Sequence, residues 1–353
     1  MASPISRRAV SQGLATALAA TSIPRTARAT VAASPVTPQL IEAATKEGKA
    51  VWYTAVDLPV AERIAKAFEA KYPGIAVRVE RSGGERIFQR IGQEYASNIH
   101  AVDVVNSSDA AHFIVWKRDG ILAAYVPQDV ASHYPAEQRD PDGLFASWRV
   151  WLCVIGYNTK LVKAEEAPKS FADLLDPKWS GKIVKAHPGY SGTIMTATYQ
   201  VSRDIGWSYF EKLSQQKVMQ VQSSADPPKK LALGERAIMA DGNEYNLIQL
   251  KEKGEPVEIV YPREGTPLII GPSGVMQDAP NPNAARLLQS FMFSVECQQL
   301  MVDWGGLRSF HGEVKDKEGR KPLKDIKLMQ DDPAAVEKQA DQIKAKYTQY
   351  FKV

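Results

Sequence analysis

The side chains in this sequence that could do chemistry gather in five loops, each following an apolar run. They are Tyr53-Thr54, Arg81-Ser82-Gly83-Gly84, Ser107-Ser108-Asp109, His187 through Thr193, and Asp241 through Asn246. In the second loop a guanidinium and a hydroxyl stand beside backbone amides that Gly83 and Gly84 leave uncovered. Ser191-Gly192-Thr193 offers hydroxyls and amides at a helix start, where the helix dipole amounts to about half a positive charge. Both patterns suit a carboxylate or phosphate oxygen. The plainer reading is that the serines cap helices and Arg81 is solvated. Arg149, Arg263 and Arg308 are further cations, read as structural.

Catalysis is the next chemistry to weigh. His187 and Ser191 are close in sequence, yet Gly189-Tyr190-Ser191-Gly192 lacks the spacing of a nucleophile elbow, and no acidic partner stands near. There is no P-loop, no dinucleotide fingerprint after the first strand and no H-E-x-x-H. The histidines at 100, 112, 133, 187 and 311 show no zinc-ligand spacing. The expectation is a chain with no catalytic residue, no cofactor and no resident metal. Cys153 and Cys297 lie in apolar stretches and read as two buried free thiols rather than a disulfide.

The elements that position these loops alternate. Gln39–Gly48 reads as a helix ended by glycine, and Ala50–Thr54 as a buried strand. Val60–Lys71 is helical, Ile75–Glu80 alternates as a strand, Glu85–Ser97 is helical, and Val102–Val105 is a strand. Beyond Phe145 the alternation resumes. Trp151–Tyr157 and Lys182–Lys185 are strands, and Phe171–Leu175, the stretch from Ser191 and Trp207–Leu213 are helical. Pro227–Leu233, Arg236–Ala240 and Tyr245–Lys253 continue it; Val257–Tyr261 and Leu268–Met276 are strands. Ala284–Met301 reads as one amphipathic helix and Pro333–Tyr350 as the last. Strands interleaved with helices give an α/β protein with mostly parallel sheets covered on both faces. At 353 residues the chain has room for two domains.

Composition excludes several classes. Hydrophobic residues at 44% and charged residues at 24% rule out disorder, collagen and coiled coil. The formal charge of +4 belongs to the amino terminus. Arg7, Arg8, Arg25 and Arg28 lie in residues 1–29 with no acid among them, leaving 40 basic against 40 acidic residues. A nucleic-acid partner loses its support with that balance. Ser6-Arg7-Arg8, an apolar run to Ser22 and Ala27-Arg28-Ala29 form an export signal cleaved near Ala29. Val10 stands where a twin-arginine signal usually has an aromatic, so that route and the general secretory one both stay open. The mature protein is expected in the periplasm, not embedded in the membrane.

Several stretches, in order and spacing, carry a resemblance. They are Trp52-Tyr53-Thr54, Asp103 through Ser108, Gly156-Tyr157-Asn158-Thr159-Lys160-Leu161, Asp173 through Ile183, Gly234 through Met239, and Asp278 through Ala285. Together they span nearly all of the mature chain, which resembles the bacterial extracellular solute-binding protein family 1, with a ferric-ion-binding branch among its relatives. The resemblance implies a type II periplasmic binding protein, the receptor of an ABC importer. Its expected fold is two α/β lobes joined by crossing hinge strands near 145–148 and 255–258. The lobes would be 39–146 with 257–312, and 147–256, after a signal at 1–29 and a lead-in at 30–38. Residues 313–353 would form a tail and helix packing on the lobes.

Its implied partners are a small-molecule ligand and an inner-membrane permease, with the chain acting as a monomer. Hinge closure would bury a small organic anion, of carboxylate, phosphate or phosphonate type. Expected contacts are Tyr53, Thr54, Arg81, Ser82, Gly83, Ser107, Ser108, Ser191, Gly192, Thr193, Asn243, Glu244 and Tyr245. Ferric ion is the alternative, with Tyr245, Glu244 and Tyr53 as ligands. The iron branch uses two adjacent tyrosines, and here Asn243-Glu244-Tyr245-Asn246 holds one. A periplasmic enzyme on a similar two-lobed scaffold is the alternative of another class.

Overall fold

A computed structural model describes residues 31–353, so the expected export signal at 1–29 lies outside the described residues. The first lobe begins with β1 (Ala33–Ser34), α1 (Pro38–Glu47), β2 (Lys49–Thr54), α2 (Leu58–Lys71) and β3 (Ala76–Arg81). It continues through α3 (Gly84–Ala96), β4 (Val104–Asn106), α4 (Ala111–Arg118), β5 (Leu122–Ala123), β6 (Val126–Pro127) and α5 (Gln128–His133). The long strand β7 (Ala146–Asn158) then leads out of it. The second lobe holds β8 (Ile183–Ala186), α6 (Gly192–Asp204), α7 (Trp207–Ser214) and β9 (Met219–Val221). It is completed by α8 (Asp226–Ala232), β10 (Ile238–Asn243), α9 (Glu244–Glu252) and β11 (Val257–Val260). The chain returns through β12 (Thr266–Met276), then α10 (Pro282–Phe293), α11 (Val295–Asp303), β13 (Leu328–Met329) and α12 (Pro333–Phe351).

Local chemistry fixes these boundaries. Thr37 Oγ1 accepts the Leu40 N–H at 3.2 Å, Pro38 opens α1, and Gly48 ends it at φ 71°. Every residue of β7 is buried, because this strand runs through the middle of the molecule and has no solvent face.

The strands bond in the order β3-β2-β4-β12-β7-β10-β8-β9. Pairing is parallel within β3-β2-β4 and within β10-β8-β9, and antiparallel where β12 meets β4 and β7 and where β7 meets β10. Two strands therefore connect the lobes. β12 carries the first lobe's sheet at Ser273–Val275, and β7 carries the second's at Cys153–Asn158. The first crossing runs along β7, which pairs with β12 as far as Leu152 and with β10 from Cys153. The second lies in β12, not at 255–258, because β11 stays in the second lobe and pairs with Ile155–Asn158.

The expected helix 284–301 is also two. Ser294 is extended between α10 and α11, and its hydroxyl caps α11 by accepting the Cys297 N–H at 3.3 Å. Trp52 and Trp148 meet edge to face at 5.7 Å in the first lobe's core, a pairing worth about 0.5–1.5 kcal/mol beyond its burial. Phe171, Trp179 and Phe210 anchor the second core. Helix α12 serves both lobes. Its Val336 and Ile343 pack with Ala111 of α4 and Met195 and Tyr199 of α6, while Tyr347 joins the second core. Cys153 and Cys297 are both free and buried.

Candidate functional site

Strand ends from both lobes converge on one cleft, which is closed. A cavity of about 250 Å³ is lined by Arg81, Gly83, Gly84, Arg86 and Ser108 from the first lobe, and by Tyr190, Ser191 and Gln222–Ser224 from the second. A neighbouring cavity of about 380 Å³ shares Arg81 and Ser223 and adds Asp57, Asn246 and Gln249. Contacts cross the cleft directly. Arg81 donates to Ser223 Oγ at 3.3 Å, Arg86 to Gln222 Oε1 at 2.5 Å, and Asn246 to Asp57. Two glycines set how close the lobes come. A Cβ on Gly83 would lie 2.5 Å from the Tyr190 carbonyl oxygen, and one on Gly192 would lie 2.8 Å from Asp109 Cβ. Helix α6 begins here, with Ser191 Oγ accepting the Ile194 N–H at 3.4 Å.

Behind this floor sits Arg149, projecting from β7. It is 1% exposed, and its Nε and both Nη atoms have no hydrogen-bond partner. The guanidinium stacks on Trp151 at 4.2 Å from the ring centroid. Burial lowers its pKa, while neighbouring Tyr245 and Asp57 favour its charge and Arg81 opposes it. A buried guanidinium without partners is costly and calls for an anion. Asn243 frames the same spot. It accepts from Trp151 Nε1 at 3.1 Å and donates to Ser224 Oγ, Tyr245 Oη and Asn246 Oδ1.

The expected contacts thus divide. Arg81, Gly83, Ser108 and Ser191 line the cavity, with Gly192 at the closing surface. Asn243 and Tyr245 stand around Arg149. Thr54 is buried at the end of β2 and accepts the Val56 N–H, and the Ser82 amide donates to Thr54 O. Thr193 is buried in the first turn of α6.

Tyr53, Ser107 and Glu244 are engaged elsewhere. Side chains alternate along a strand, so Trp52 enters the central core and Tyr53 points to the opposite face. Its hydroxyl donates to Glu94 Oε1 at 3.0 Å under α3. Ser107 Oγ bonds His112 Nδ1 at 2.7 Å. Successive helix residues face different directions, so Glu244 turns from Tyr245 towards Arg308. Arg308 pairs with both Glu244 oxygens at 3.0 and 2.7 Å, and Tyr261 donates at 2.6 Å. The proposed iron ligands therefore do not converge. Arg263 lies in the second lobe, its amide bonded to Lys169 O.

His187 and Ser191 form no catalytic pair. His187 Nδ1 accepts the Gly189 N–H at 2.8 Å, and burial beside Lys185 lowers its pKa to about 4. A Ser-His-Glu order does occur at Ser107-His112-Glu85, with His112 Nε2 2.9 Å from Glu85 Oε1. Ser107 is fully buried, and its hydroxyl also accepts the Asp109 N–H at 3.2 Å. Among the described residues, Glu85, Asp109 and His112 alone gather three donor atoms within 4.8 Å of one another. There Lys344 Nζ, 2.8 Å from Glu85, already supplies a cation.

Sequence reading passed over Asp57 and the loop Gln222–Asp226, and took Arg149 for a structural cation. The loop's signal was a serine pair before Asp226-Pro227-Pro228, a helix start, but β9 ahead of it is only three residues long. Arg149 carried the other signal, a lone charge inside a strand that is otherwise nearly all apolar.

Residues 102–327 match the bacterial extracellular solute-binding protein family. A periplasmic protein of Salmonella typhimurium assigned to 2-aminoethylphosphonate binding is 29% identical over 251 residues, covering 67% of this chain and 70% of the relative. The fold is that of AfuA from Actinobacillus pleuropneumoniae, solved with fructose-6-phosphate bound. Its TM-score is 0.79 at 23% identity, over 87% of this chain and 99% of AfuA. Iron-bound HitA from Pseudomonas aeruginosa superposes with a TM-score of 0.73 at 23% identity, over 86% of this chain and 99% of HitA. Among the described residues no helix is long and apolar enough to cross a membrane.

Proposed function

From the premise that the chain belongs to the bacterial extracellular solute-binding proteins, we propose that its interlobe cleft binds a small organic oxyanion of phosphonate, phosphate or carboxylate type. The protein is a periplasmic solute-binding protein of an ABC transporter, and the captured solute passes to the permease. The observation that carries the ligand class is Arg149, buried with three unpartnered nitrogens beside Arg81, Asn243 and Tyr245. An oxyanion there gains charge-assisted hydrogen bonds in a site shielded from water. The amino terminus of α6 and the hydroxyls of Ser108 and Ser191 face the cavity from both lobes. Contacts from both sides exist together only in the closed form, so binding shifts the population towards closure. Micromolar affinity needs about 8 kcal/mol, within reach of a ligand of about ten heavy atoms.

The relatives supply the probes. Isothermal titration with 2-aminoethylphosphonate, fructose 6-phosphate, inorganic phosphate, citrate and ferric ion tests the reading. At least one oxyanion should bind and be recovered unchanged, and Arg149→Met should abolish its binding. Ferric binding with a phenolate charge-transfer band would overturn the anion reading, and steady consumption of the ligand would favour the enzyme. Export and cleavage near Ala29 complete the proposal; intact mass of the periplasmic protein should place the first residue at Thr30.

A further inference from the structure

Next to the cleft, four elements meet at a buried ionic cluster that makes no direct contact with the cavity. Glu85 lies in the first turn of α3, directly after the cavity-lining Gly83 and Gly84. Its Oε1 bonds His112 Nε2 on α4 at 2.9 Å, and its Oε2 meets Lys344 Nζ on α12 at 2.8 Å. The other nitrogen of His112 bonds Ser107 Oγ at 2.7 Å, and that oxygen accepts the Asp109 N–H. Between Ser107 and Asp109 stands Ser108, whose side lines the cavity. One connected chain thus ties both first-lobe loops of the site to the carboxy-terminal helix. Resting on the oxyanion reading, we propose that Lys344, His112 and Glu85 are positioning residues for ligand capture: they hold the Gly83–Gly84 and Ser107–Asp109 loops together, with Lys344 and His112 neutralising the Glu85 carboxylate at the start of α3.

The electrostatic need is concrete. An acidic residue in the first turn satisfies a helix amino terminus, and here it would also repel an anion approaching the same amides. Burial would raise the Glu85 carboxyl, but the His112 hydrogen bond and charge, with Lys344 behind them, hold it down to about 2. His112 would be pushed down by its own burial, yet its bond to Glu85 keeps it above the ordinary imidazole range. Other charged neighbours are accounted for. Asp109 lies 4.0 Å from His112 Nε2, and its burial raises it to about 6. The aromatic rings of Phe88 and Trp116 cover the imidazole at 4.5 and 5.8 Å. Lys344 and a protonated His112 together offset the charges of Glu85 and Asp109. Helix α12 adds a mechanical link. Arg118 on α4 pairs with Glu337 at 3.1 Å, and Tyr347 donates to Gln220 Oε1 of β9 at 2.8 Å. The cation at position 344 is therefore held by a helix seated on both lobes.

The test uses the mature full chain with 2-aminoethylphosphonate, fructose 6-phosphate and inorganic phosphate as probes. Lys344→Met should weaken the binding oxyanion at least fivefold, and Lys344→Arg should restore it to within twofold. Because Lys344→Met could loosen α12, thermal denaturation without ligand runs alongside, and the Arg variant separates charge from packing. Imidazole NMR gives a readout that needs no ligand: His112 should stay protonated above the usual range in the wild type, and Glu85→Gln should lower its titration midpoint. Wild-type binding with unchanged affinity in Lys344→Met, or a His112 midpoint indifferent to Glu85→Gln, overturns the proposal. If the wild type binds none of the three oxyanions, the binding reading itself has failed, and this inference falls with it.

Discussion

Arg149 is held with none of its three side-chain nitrogens in a hydrogen bond, against the Trp151 ring and near Tyr245. A residue kept at that cost in the ligand-free chain should be releasing free energy when an anion arrives. Arg149→Met should therefore abolish oxyanion binding while raising the melting temperature of the ligand-free protein by about 2 °C or more, near 1 kcal/mol. A lower melting temperature in calorimetry would mark Arg149 as structural. Glu244 makes the opposite case. Both of its oxygens are satisfied by Arg308, and Tyr261 adds a third bond. Glu244→Gln leaves a buried guanidinium short of its counter-charge, and urea unfolding should show a loss of about 3 kcal/mol or more. Arg81 is of a third kind, partly exposed at the cavity and outside the core, whereas Tyr245 is buried in the first core and only its hydroxyl can be removed without a cavity. Arg81→Ala and Tyr245→Phe should weaken affinity with little change in stability.

At the scale of elements, closure is written into the places where backbone meets backbone. Gly83 caps α3 at φ −66°, a conformation that alanine adopts freely, so Gly83→Ala creates no strain within the first lobe. Its methyl group would instead meet the Tyr190 carbonyl of the other lobe. The expected result is at least a tenfold weaker affinity with the ligand-free melting temperature unchanged. Equal loss of both would show that the glycine serves the lobe and not the closing surface. The expected helix 284–301 shows how an element can be mistaken in detail and right in kind. Its apolar spacing continues across Ser294, and only the cap that this serine makes to Cys297 divides it.

For the whole molecule, two strands shared between the lobes make closure and ligand capture one equilibrium. A ligand at 100 times its Kd should add about 2.7 kcal/mol of stability. It should also lower the radius of gyration in X-ray scattering; a thermal shift without compaction would argue against closure. The sequence by itself determined the α/β alternation, the two-lobed family fold, the charge balance outside residues 1–29, and the strand-end loops that hold Arg81, Ser108 and Ser191. The alternation and the loops follow from periodicity and from short-range turn chemistry, which neighbouring residues carry, whereas the two-lobed fold is what the family resemblance implies. Only the tertiary structure decided that Tyr53 faces α3, that Glu244 belongs to Arg308, that Asp57 lines the cleft and that Arg149 sits behind its floor. Each of those outcomes depends on which partner lies across a sheet or a lobe boundary: 64 residues separate Glu244 from Arg308, and 41 separate Tyr53 from Glu94. Pairing over such distances is settled by packing, and no local pattern records it.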